Sequence, residues 1–381
     1  MSVLQKLDKN IKVIAITGGP CGGKTSGMAY LRQALEKMGY CVLIAPEVAT
    51  KLIAGGISPN DPLIGFPEFQ RILVADLINQ ETTFIAAANR LAAQGKKVVV
   101  LTDRGAIEGS AYLKGDKEAF ALIARGLGLS LGELCEGRYH AVIHMVTAAI
   151  GAEAHYSFEN SARYESLEYA KTLDGLIIDA WLRHPHLRVI DNSTDFPTKL
   201  ERVLGEVKAV LGEPEPLETE DRYLVEAVML PEKFSRSWIS QSYLLAKGGA
   251  PQRRIRMRQS HDGYTMCFET QKGELIAGSR KESERVISKG EYEALLDSCD
   301  PQSATIIKER HCFIYNGHFF ELDRFHKPID GLMIMEIERL PHEDKSSIEL
   351  PPFVKVVADI SDDSRYSNRQ IALNRKVPSR T

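Results

Sequence analysis

A complete G-x-x-x-x-G-K-[ST] motif near the start of the chain constrains its fold more than any other feature. The motif spans Gly18 to Thr25, follows the apolar run Val13–Ile16 and precedes a helix-forming stretch. A strand, a glycine-rich loop and a helix in this order make a phosphate-binding loop, because backbone N–H groups and the helix N-terminus then point at one anion. The sequence therefore predicts an α/β domain that binds a nucleoside triphosphate.

The residues of this loop have distinct expected roles. Those expected around the nucleotide are Gly18, Gly19, Cys21, Gly22, Gly23, Lys24, Thr25 and Ser26. Lys24 should reach the β- and γ-phosphates, and Thr25 should place its hydroxyl on Mg²⁺, with Ser26 as a weaker candidate. A glycine-rich turn that binds nothing is the alternative, and the order of the flanking elements disfavours it. The motif does not decide between ATP and GTP.

Bulk composition limits the class of protein. A chain of 381 residues is long enough for two domains, and a formal net charge of -3 gives no reason to expect nucleic acid as a partner. The six cysteines are scattered without paired spacing, which favours reduced thiols over a zinc site or a disulfide framework. No apolar run approaches the roughly 18 residues of a membrane span, and the start lacks a signal-peptide core. These features predict a cytoplasmic protein.

The hydrophobic pattern changes near residue 211. Before it, short apolar runs alternate with amphipathic stretches, as in a parallel sheet wrapped by helices. The expected strands are Lys12–Thr17, Cys41–Ala45, Lys97–Leu101, Ala141–Val146 and Leu187–Ile190, with long helices at Pro67–Ala93 and Pro197–Leu211. A stiff, proline-containing linker follows. We therefore predict a nucleotide-binding domain at residues 1–211, a linker at 212–217 and a second domain at 218–381.

Acidic residues at strand ends are the candidates for the chemistry beside the loop. Asp103 and Glu47 each follow an apolar run at the carboxyl edge, where open α/β sheets bind ligands. We expect Asp103 to hold Mg²⁺ with Thr25, and Glu47 to position the attacking group. Arg163 opens a helical stretch that runs to Trp181, where an incoming phosphate would offset its unfavourable position, so it is a candidate lid residue. A local ion pair is its alternative.

These motifs resemble the P-loop family that groups bacterial nicotinamide-ribose kinases with the nucleotide-binding domain of the eukaryotic translocation-defect proteins, an AAA-type ATPase domain. The matching segments are Gly18 to Ser26, Ala45 to Glu47, Thr102 to Gly105, Asn160 to Ser166 and Ile190 to Asn192. The resemblance implies phosphoryl transfer or hydrolysis, with Lys24 and Arg163 stabilising charge.

The second half carries charges on alternate residues of predicted strands. Arg254, Arg256 and Arg258 alternate with Ile255 and Met257, and strand geometry sends such a set to one face. The charged residues expected on one face are Glu218, Glu220, Arg222, Arg254, Arg256, Arg258, Lys272, Arg280, Glu282, Glu284, Lys308, Arg310, Glu321, Asp323, Glu336 and Glu338. An ordinary solvated face is the alternative, but the ordered recurrence of both signs favours a hydrated cavity that holds a polyanion and a divalent cation.

This ordered set is similar to the CYTH, or triphosphate tunnel metalloenzyme, family. The resemblance implies an α+β domain built on a closed antiparallel β-barrel that binds triphosphate, polyphosphate or a phosphorylated small molecule. It implies triphosphate contacts from Arg222, Arg254, Arg256, Arg258, Lys272, Arg280, Lys308 and Arg310. It implies Mg²⁺ or Mn²⁺ ligands at Glu218, Glu220, Asp323, Glu336 and Glu338. The family signature E-x-E-x-K has Arg222 in place of the lysine, and a bulkier, permanently charged fork there favours binding over turnover.

Two functions from different classes fit this organisation. The first is an enzyme that combines a P-loop phosphotransferase or NTPase with a metal-dependent triphosphate-hydrolysing domain. The second is a regulatory protein in which a nucleotide controls a domain that grips a phosphorylated ligand or an anionic lipid head group without turnover. A purely structural adaptor would leave the buried-charge pattern unexplained.

Overall fold

The structure, a computed structural model, describes residues 2–156, 166–213, 219–245, 252–276, 279–339 and 344–378, with the side chains at 219, 227, 272–276 and 279–283 outside this description. The chain divides into two compact units, Ser2–Leu211 (the N-terminal unit) and Gly212–Thr381 (the C-terminal unit). The six cysteines all lie in the described ranges, and none of them forms a disulfide. Within the ranges described, none of the helices combines the length and apolar character needed to cross a bilayer.

The N-terminal unit alternates strands and helices. Its strands are Ile11–Thr17 (β1), Cys41–Ala45 (β2), Val98–Asp103 (β3), Ala141–Met145 (β4) and Leu187–Ile190 (β5). Its α-helices in the described ranges are Lys24–Lys37 (α1), Val48–Ala54 (α2), Phe66–Ala92 (α3), Gly109–Tyr112 (α4), Lys117–Gly126 (α5), Leu131–Glu136 (α6), Leu167–Trp181 (α7) and Phe196–Leu211 (α8). The five strands and two long helices predicted from the apolar runs are confirmed to within two residues at each end.

The sheet of this unit is parallel, in the order β2-β3-β1-β4-β5. Strand β1 lies at its centre and is buried along most of its length, as expected for a strand covered by helices on both faces. Ile14, Leu31, Leu101, Ile143 and Val203 meet in one core from strands and helices. This core fixes the carboxyl edge of the sheet, where β1 leads into the phosphate loop.

The helix expected to open near Asn160 begins later. Helix α7 starts at Leu167, and Ser166 caps it by accepting a hydrogen bond from the backbone N–H of Tyr169 at 3.2 Å. Arg163 and its neighbours at 157–165 lie outside the described residues, so the lid assignment stays a prediction.

The C-terminal unit is mostly antiparallel β structure. Its strands are Thr219–Val228 (β6), Ser235–Tyr243 (β7), Gln252–Ser260 (β8), Thr265–Ile276 (β9), Ser279–Ile287 (β10), Ile306–Tyr315 (β11), His318–Lys327 (β12), Met333–Arg339 (β13) and Val354–Asp359 (β14). Its described α-helices are Lys289–Leu296 (α9) and Asn368–Asn374 (α10). The change of hydrophobic period after residue 211 correctly indicated this change of architecture.

Strand register places the alternating charges on one face of the sheet. The strands follow the order β10-β9-β8-β7-β11-β12-β13-β6-β14. Arg310 on β11 pairs with Asp323 on β12, and Glu321 on β12 pairs with Glu336 on β13. The opposite face carries apolar side chains that include Phe313, Leu322 and Met335.

The expected closed barrel is not seen in the described residues. A closed barrel requires backbone pairing between its first and last strands. Strands β10 and β14 end the sheet order at opposite edges, and no ladder among the described residues joins them. The structure thus shows an antiparallel sheet with a charged face, and closure is left as a proposal.

Candidate functional sites

The phosphate loop lies against the end of β4. Gly18 has φ 140°, a backbone conformation that favours glycine, and a Cβ at this position would collide with the carbonyl oxygen of Met145. The loop therefore packs closely on the neighbouring strand, and larger residues are excluded at Gly18.

Lys24 lies in the phosphate loop, where the sequence motif places it. Its Nζ donates hydrogen bonds to the carbonyl oxygens of Gly18 and Gly19, both at 2.9 Å. Burial and the positive charge of Arg104 lower the pKa of Lys24 to about 8, against the opposing effect of Asp103. The ammonium group is thus a buried cation held at the loop.

Glu47 and Arg104 form a charged pair beside the loop. The Arg104 Nε donates to Glu47 Oε1 at 2.8 Å, and its Nη1 donates to Gly18 O and Glu108 Oε2, both at 3.2 Å. Burial opposes ionisation of Glu47, but Arg104 outweighs it and lowers the pKa of Glu47 to about 2. Thr50 donates to the second Glu47 oxygen at 2.6 Å. Glu47 is therefore an ionised carboxylate that positions Arg104.

Asp103 has a carboxylate oxygen that is available to bind a ligand. It ends β3, beside Ile16 of β1 in the parallel register. Its Oδ1 is buried and has no hydrogen-bond partner among the described residues. Burial is the main reason that the pKa of Asp103 rises to about 6, and Lys24 opposes the rise. A buried carboxylate oxygen of this kind suits Mg²⁺, which prefers oxygen ligands.

These groups share one large cavity of about 1490 Å³. Cys21, Thr25 and Ser26 line it with the rest of the loop from Pro20 onward, together with Glu47 and Asp103. Apolar side chains of α3, such as Phe69 and Leu73, line another part of the wall. The structure thus brings most of the predicted loop residues and both predicted carboxylates of the N-terminal unit to one cavity.

Sequence reasoning missed a buried carboxylate behind the loop. Asp174 on α7 is 1% exposed, and its Oδ1 accepts hydrogen bonds from the N–H groups of Gly19 at 2.7 Å and Thr147 at 3.1 Å. Its Oδ2 lies 3.1 Å from Nε2 of His144 on β4. The sequence did contain a signal for this residue. Asp174 lies near Leu173 and Ile177, on the apolar face of a predicted helix.

Lys199 on α8 was missed as well. Its side chain is 2% exposed, and its Nζ donates to Val146 O at 2.8 Å and Asn192 Oδ1 at 2.6 Å. Burial is the main reason that the pKa of Lys199 falls to about 8. The residue ties the start of α8 to the end of β4.

In the C-terminal unit, five of the predicted charges form one network. Arg310 donates through Nε and Nη2 to Asp323 at 2.7 and 2.6 Å, through Nη2 to Glu336 at 2.9 Å, and through Nη1 to Glu321. Lys308 donates to Asp323, and its Nζ lies 5.3 Å from the centre of the Phe325 ring. Three carboxylates thus surround one guanidinium.

The arginines of β8 and β6 have other partners. Arg256 donates to Glu284 at 2.8 Å, and burial together with the charges of Arg254 and Arg310 lowers its pKa. Arg258 is buried and donates to Ser237 Oγ at 3.1 Å. Arg222 on β6 donates through Nη2 to the carbonyl oxygen of Ser361 at 3.1 Å, and its backbone faces Glu336 in register.

The remaining predicted residues are distributed differently. Glu220 and Glu338 pair directly across β6 and β13, and both side chains are exposed. Glu218 lies outside the described residues, and the side chains of Lys272 and Arg280 lie outside them too. Over the described ranges, no group of three or more histidine, cysteine or acidic residues has a geometry that could hold a metal ion.

Comparison with known proteins identifies the class of the N-terminal unit. Residues 13–199 match the family described as AAA domain. Together with the parallel sheet and the phosphate loop, this match shows that the N-terminal unit is an AAA-like P-loop domain.

A second comparison finds a partial relative. The chain is 28% identical over 121 residues to an inorganic triphosphatase of Nitrosomonas europaea, and the alignment spans 32% of this chain and 75% of that protein. A solved crystal structure of an inorganic triphosphatase has 25% sequence identity and covers 42% of this chain and all of its own, with a TM-score of 0.32. The two sequence matches give the chain an AAA-like P-loop domain and a region similar to an inorganic triphosphatase.

Proposed function

We propose that the N-terminal unit binds a magnesium-bound nucleoside triphosphate, ATP or GTP, and transfers or hydrolyses its terminal phosphoryl group. The observation that supports this most directly is the buried Asp103 Oδ1 without a hydrogen-bond partner in the described residues, on a cavity shared with the phosphate loop. Asp103 and Thr25 would hold Mg²⁺, which neutralises charge on the phosphates when bound. Lys24 would exchange its bonds to the Gly18 and Gly19 carbonyls for phosphate oxygens.

Arg104 and Glu47, beside the phosphate loop, have different roles that follow from their charges. Arg104 is fixed between two carboxylates and remains positively charged, so it can stabilise negative charge that develops near the loop. Glu47 contributes as the positioning residue for Arg104, because an ionised carboxylate with a pKa of about 2 is a weak proton acceptor at neutral pH. Any direct role of Glu47 toward a nucleophile requires one of its present hydrogen bonds to exchange.

The size of the cavity supports phosphoryl transfer to an acceptor molecule as well as simple hydrolysis. Ligand cavities commonly occupy about 300–1,000 Å³. The cavity of about 1490 Å³ leaves room for a second molecule next to the nucleotide. The part of its wall formed by α3 is the region available for that acceptor.

For the C-terminal unit we propose binding of triphosphate or polyphosphate on the charged face, with metal-dependent hydrolysis as its enzymatic form. The proposal includes curling of the sheet into a barrel around this face. The strand register that places Arg256, Arg310 and Glu336 on one face of the sheet supports this arrangement. A face with buried charges of both signs is costly unless the charges neutralise one another or enclose a ligand.

The regulatory alternative has its own support in Arg310. Three carboxylates that include the proposed metal ligands Asp323 and Glu336 already hold a guanidinium. A cation fixed in this position neutralises the acidic cluster without a metal ion. Binding of a phosphorylated ligand or an anionic lipid head group without turnover is the function that this arrangement favours.

Phosphate release separates these functions. The intact protein is assayed with ATP, GTP, tripolyphosphate and longer polyphosphate, each with Mg²⁺ or Mn²⁺. The enzymatic proposal predicts release from a nucleotide that Lys24→Ala abolishes, and release from tripolyphosphate that Glu336→Ala abolishes. Tripolyphosphate binding without release under every metal condition would favour the regulatory function. Unchanged nucleotide turnover in Lys24→Ala would contradict the P-loop assignment.

A further inference from the structure

The cavity at the phosphate loop extends to both sides of β1. On one side, β3 carries Asp103, and the loop after β2 carries Glu47. On the other side lie β4 and β5, followed by the turn that leads into α8. If the terminal phosphate lies beside Asp103 and Lys24, as in the proposed function on which this inference rests, the part of the cavity on the β4–β5 side is left for the ribose and base.

An aromatic ring lies at that end of the cavity. Phe196 is the first residue of α8, lines the cavity and is 45% exposed. It contacts the phosphate loop, because a Cβ on Gly23 would lie 2.5 Å from Phe196 Cε2 and 2.9 Å from Cζ. Gly23 caps α1 with φ 86°, so the ring lies directly beside the first turn of the helix that receives the phosphates.

The turn that carries this ring is fixed on both sides. Asn192 Nδ2 donates to the carbonyl oxygens of Thr147 at 2.8 Å and Ile150 at 2.6 Å, while its Oδ1 accepts from Lys199 at 2.6 Å. Asp195 caps α8 by accepting from the N–H of Thr198 at 2.9 Å. The ring is therefore presented from a rigid support, and ligand binding against it needs little additional ordering.

We propose that Phe196 is the stacking platform for the nucleobase of the bound nucleoside triphosphate. An apolar ring that is nearly half exposed on a rigid turn is stabilised when a flat ligand covers it. Every nucleobase offers a π-face, so stacking here supports ATP and GTP alike. The amide of Asn192 already uses both its nitrogen and its oxygen in holding the turn, which leaves base discrimination to other groups.

The test removes the ring from the protein and, separately, the base from the ligand. Affinities of the full chain for Mg-ATP, Mg-GTP and a base-free ribose 5-triphosphate are measured for the unchanged protein, Phe196→Ala and Phe196→Trp. Binding that disappears in Lys24→Ala is assigned to the phosphate loop. Binding that remains in that variant is assigned to other parts of the chain. Phe196→Ala should weaken both nucleotides about 5- to 150-fold and leave the base-free triphosphate unchanged. Phe196→Trp should retain nucleotide affinity.

Phe66→Ala is the matched control. Phe66 also lines the cavity, but it begins α3, and its ring packs on Phe69 with 6.4 Å between ring centres. Its removal should leave nucleotide affinity unchanged. Nucleotide affinity that persists in Phe196→Ala, or an equal loss for nucleotide and base-free triphosphate, overturns the platform while the proposed function stands. If the unchanged protein shows no Lys24-dependent nucleotide binding, the proposed function and the platform fall together.

Discussion

The carboxylate of Asp174 accepts a hydrogen bond from the backbone N–H of Gly19 at 2.7 Å, across a sequence separation of 155 residues. The same oxygen accepts from Thr147, so one buried side chain on α7 ties the phosphate loop to the segment after β4. The loop conformation therefore depends on a helix that is distant from it in sequence, as well as on the loop glycines.

Replacing Asp174 should weaken both the fold and nucleotide binding. Asp174→Ala leaves two buried N–H groups without their acceptor, which we expect to lower the free energy of unfolding by about 1–3 kcal/mol for each. Nucleotide affinity should fall as the loop loses its support. Urea unfolding and nucleotide titration measure the two effects. Glu168→Ala, on the same helix with a side chain 84% exposed, should change neither. Equal behaviour of the two variants would show that the Asp174 contacts do not support the loop.

Asp103 should give the N-terminal unit a pH-dependent stability. Its pKa is raised from 3.8 to about 6, so the folded state holds this proton more tightly than the unfolded chain. The stabilisation is complete below the unfolded pKa of 3.8 and is lost as the pH rises through about 6. Asp103→Asn should therefore match the unchanged protein near pH 4 and exceed its stability by about 1–3 kcal/mol at pH 7.

Unfolding by urea between pH 4 and 7 measures this difference. The control is Glu118→Gln, which changes an exposed carboxyl on α5 and should follow the unchanged protein at every pH. A constant stability difference between Asp103→Asn and the unchanged protein over the whole range would argue against a raised pKa at this site.

Asp323 should be essential to the charged face. It balances Lys308 and Arg310, and it is fully buried. Asp323→Ala leaves two buried cations with one fewer counter-charge, for which we expect a loss of about 3–5 kcal/mol of unfolding free energy. Tripolyphosphate should restore more stability to this variant than to the unchanged protein. The thermal midpoint, with and without tripolyphosphate, reports both effects.

The control for this change is Asp330→Ala. The side chain of Asp330 is 81% exposed and pairs with His326. It should lose little stability, because an exposed ion pair contributes little. A similar small loss for Asp323→Ala would mean that the cations of β11 do not depend on this carboxylate.

Arg256 should bind polyanions, whereas its neighbour Arg253 should not. Arg256 faces the charged side of β8, and Arg253 faces the other side, where it pairs with Glu269 and is 42% exposed. Loss of one charged hydrogen bond in Arg256→Ala should cost about 1.5–3 kcal/mol of tripolyphosphate affinity. Calorimetry on both alanine variants makes the comparison. Comparable losses for the two positions would indicate attraction by net charge, without a site on this face.

Much of the fold could be predicted because its signals are local. Apolar runs such as Val98–Leu101 between turn residues identified the strands of the N-terminal unit, and alternation around Arg256 identified the face of β8. The phosphate loop was recognisable because glycine, lysine and threonine spacing alone specifies its chemistry.

Which charged side chains pair with one another could not be predicted in the same way. Arg310 meets Glu321, Asp323 and Glu336 only because the register of three strands brings them together. Asp174 reaches Gly19 through packing of α7 on the sheet, which no local pattern specifies. Strand register and helix packing depend on the whole fold, so the ion pairs and positioning contacts became visible only in the structure.

We propose that the chain has two phosphate-binding sites, one at Lys24 and the other at Arg256. Calorimetric titration of the full chain with Mg-nucleotide and with tripolyphosphate, for Lys24→Ala and Arg256→Ala, distinguishes the two sites. Lys24→Ala should lose nucleotide binding and keep tripolyphosphate binding. Arg256→Ala should keep nucleotide binding and weaken tripolyphosphate binding by about 1.5–3 kcal/mol. Loss of both ligands in either variant, or wild-type nucleotide affinity in Lys24→Ala, would rule out two independent sites.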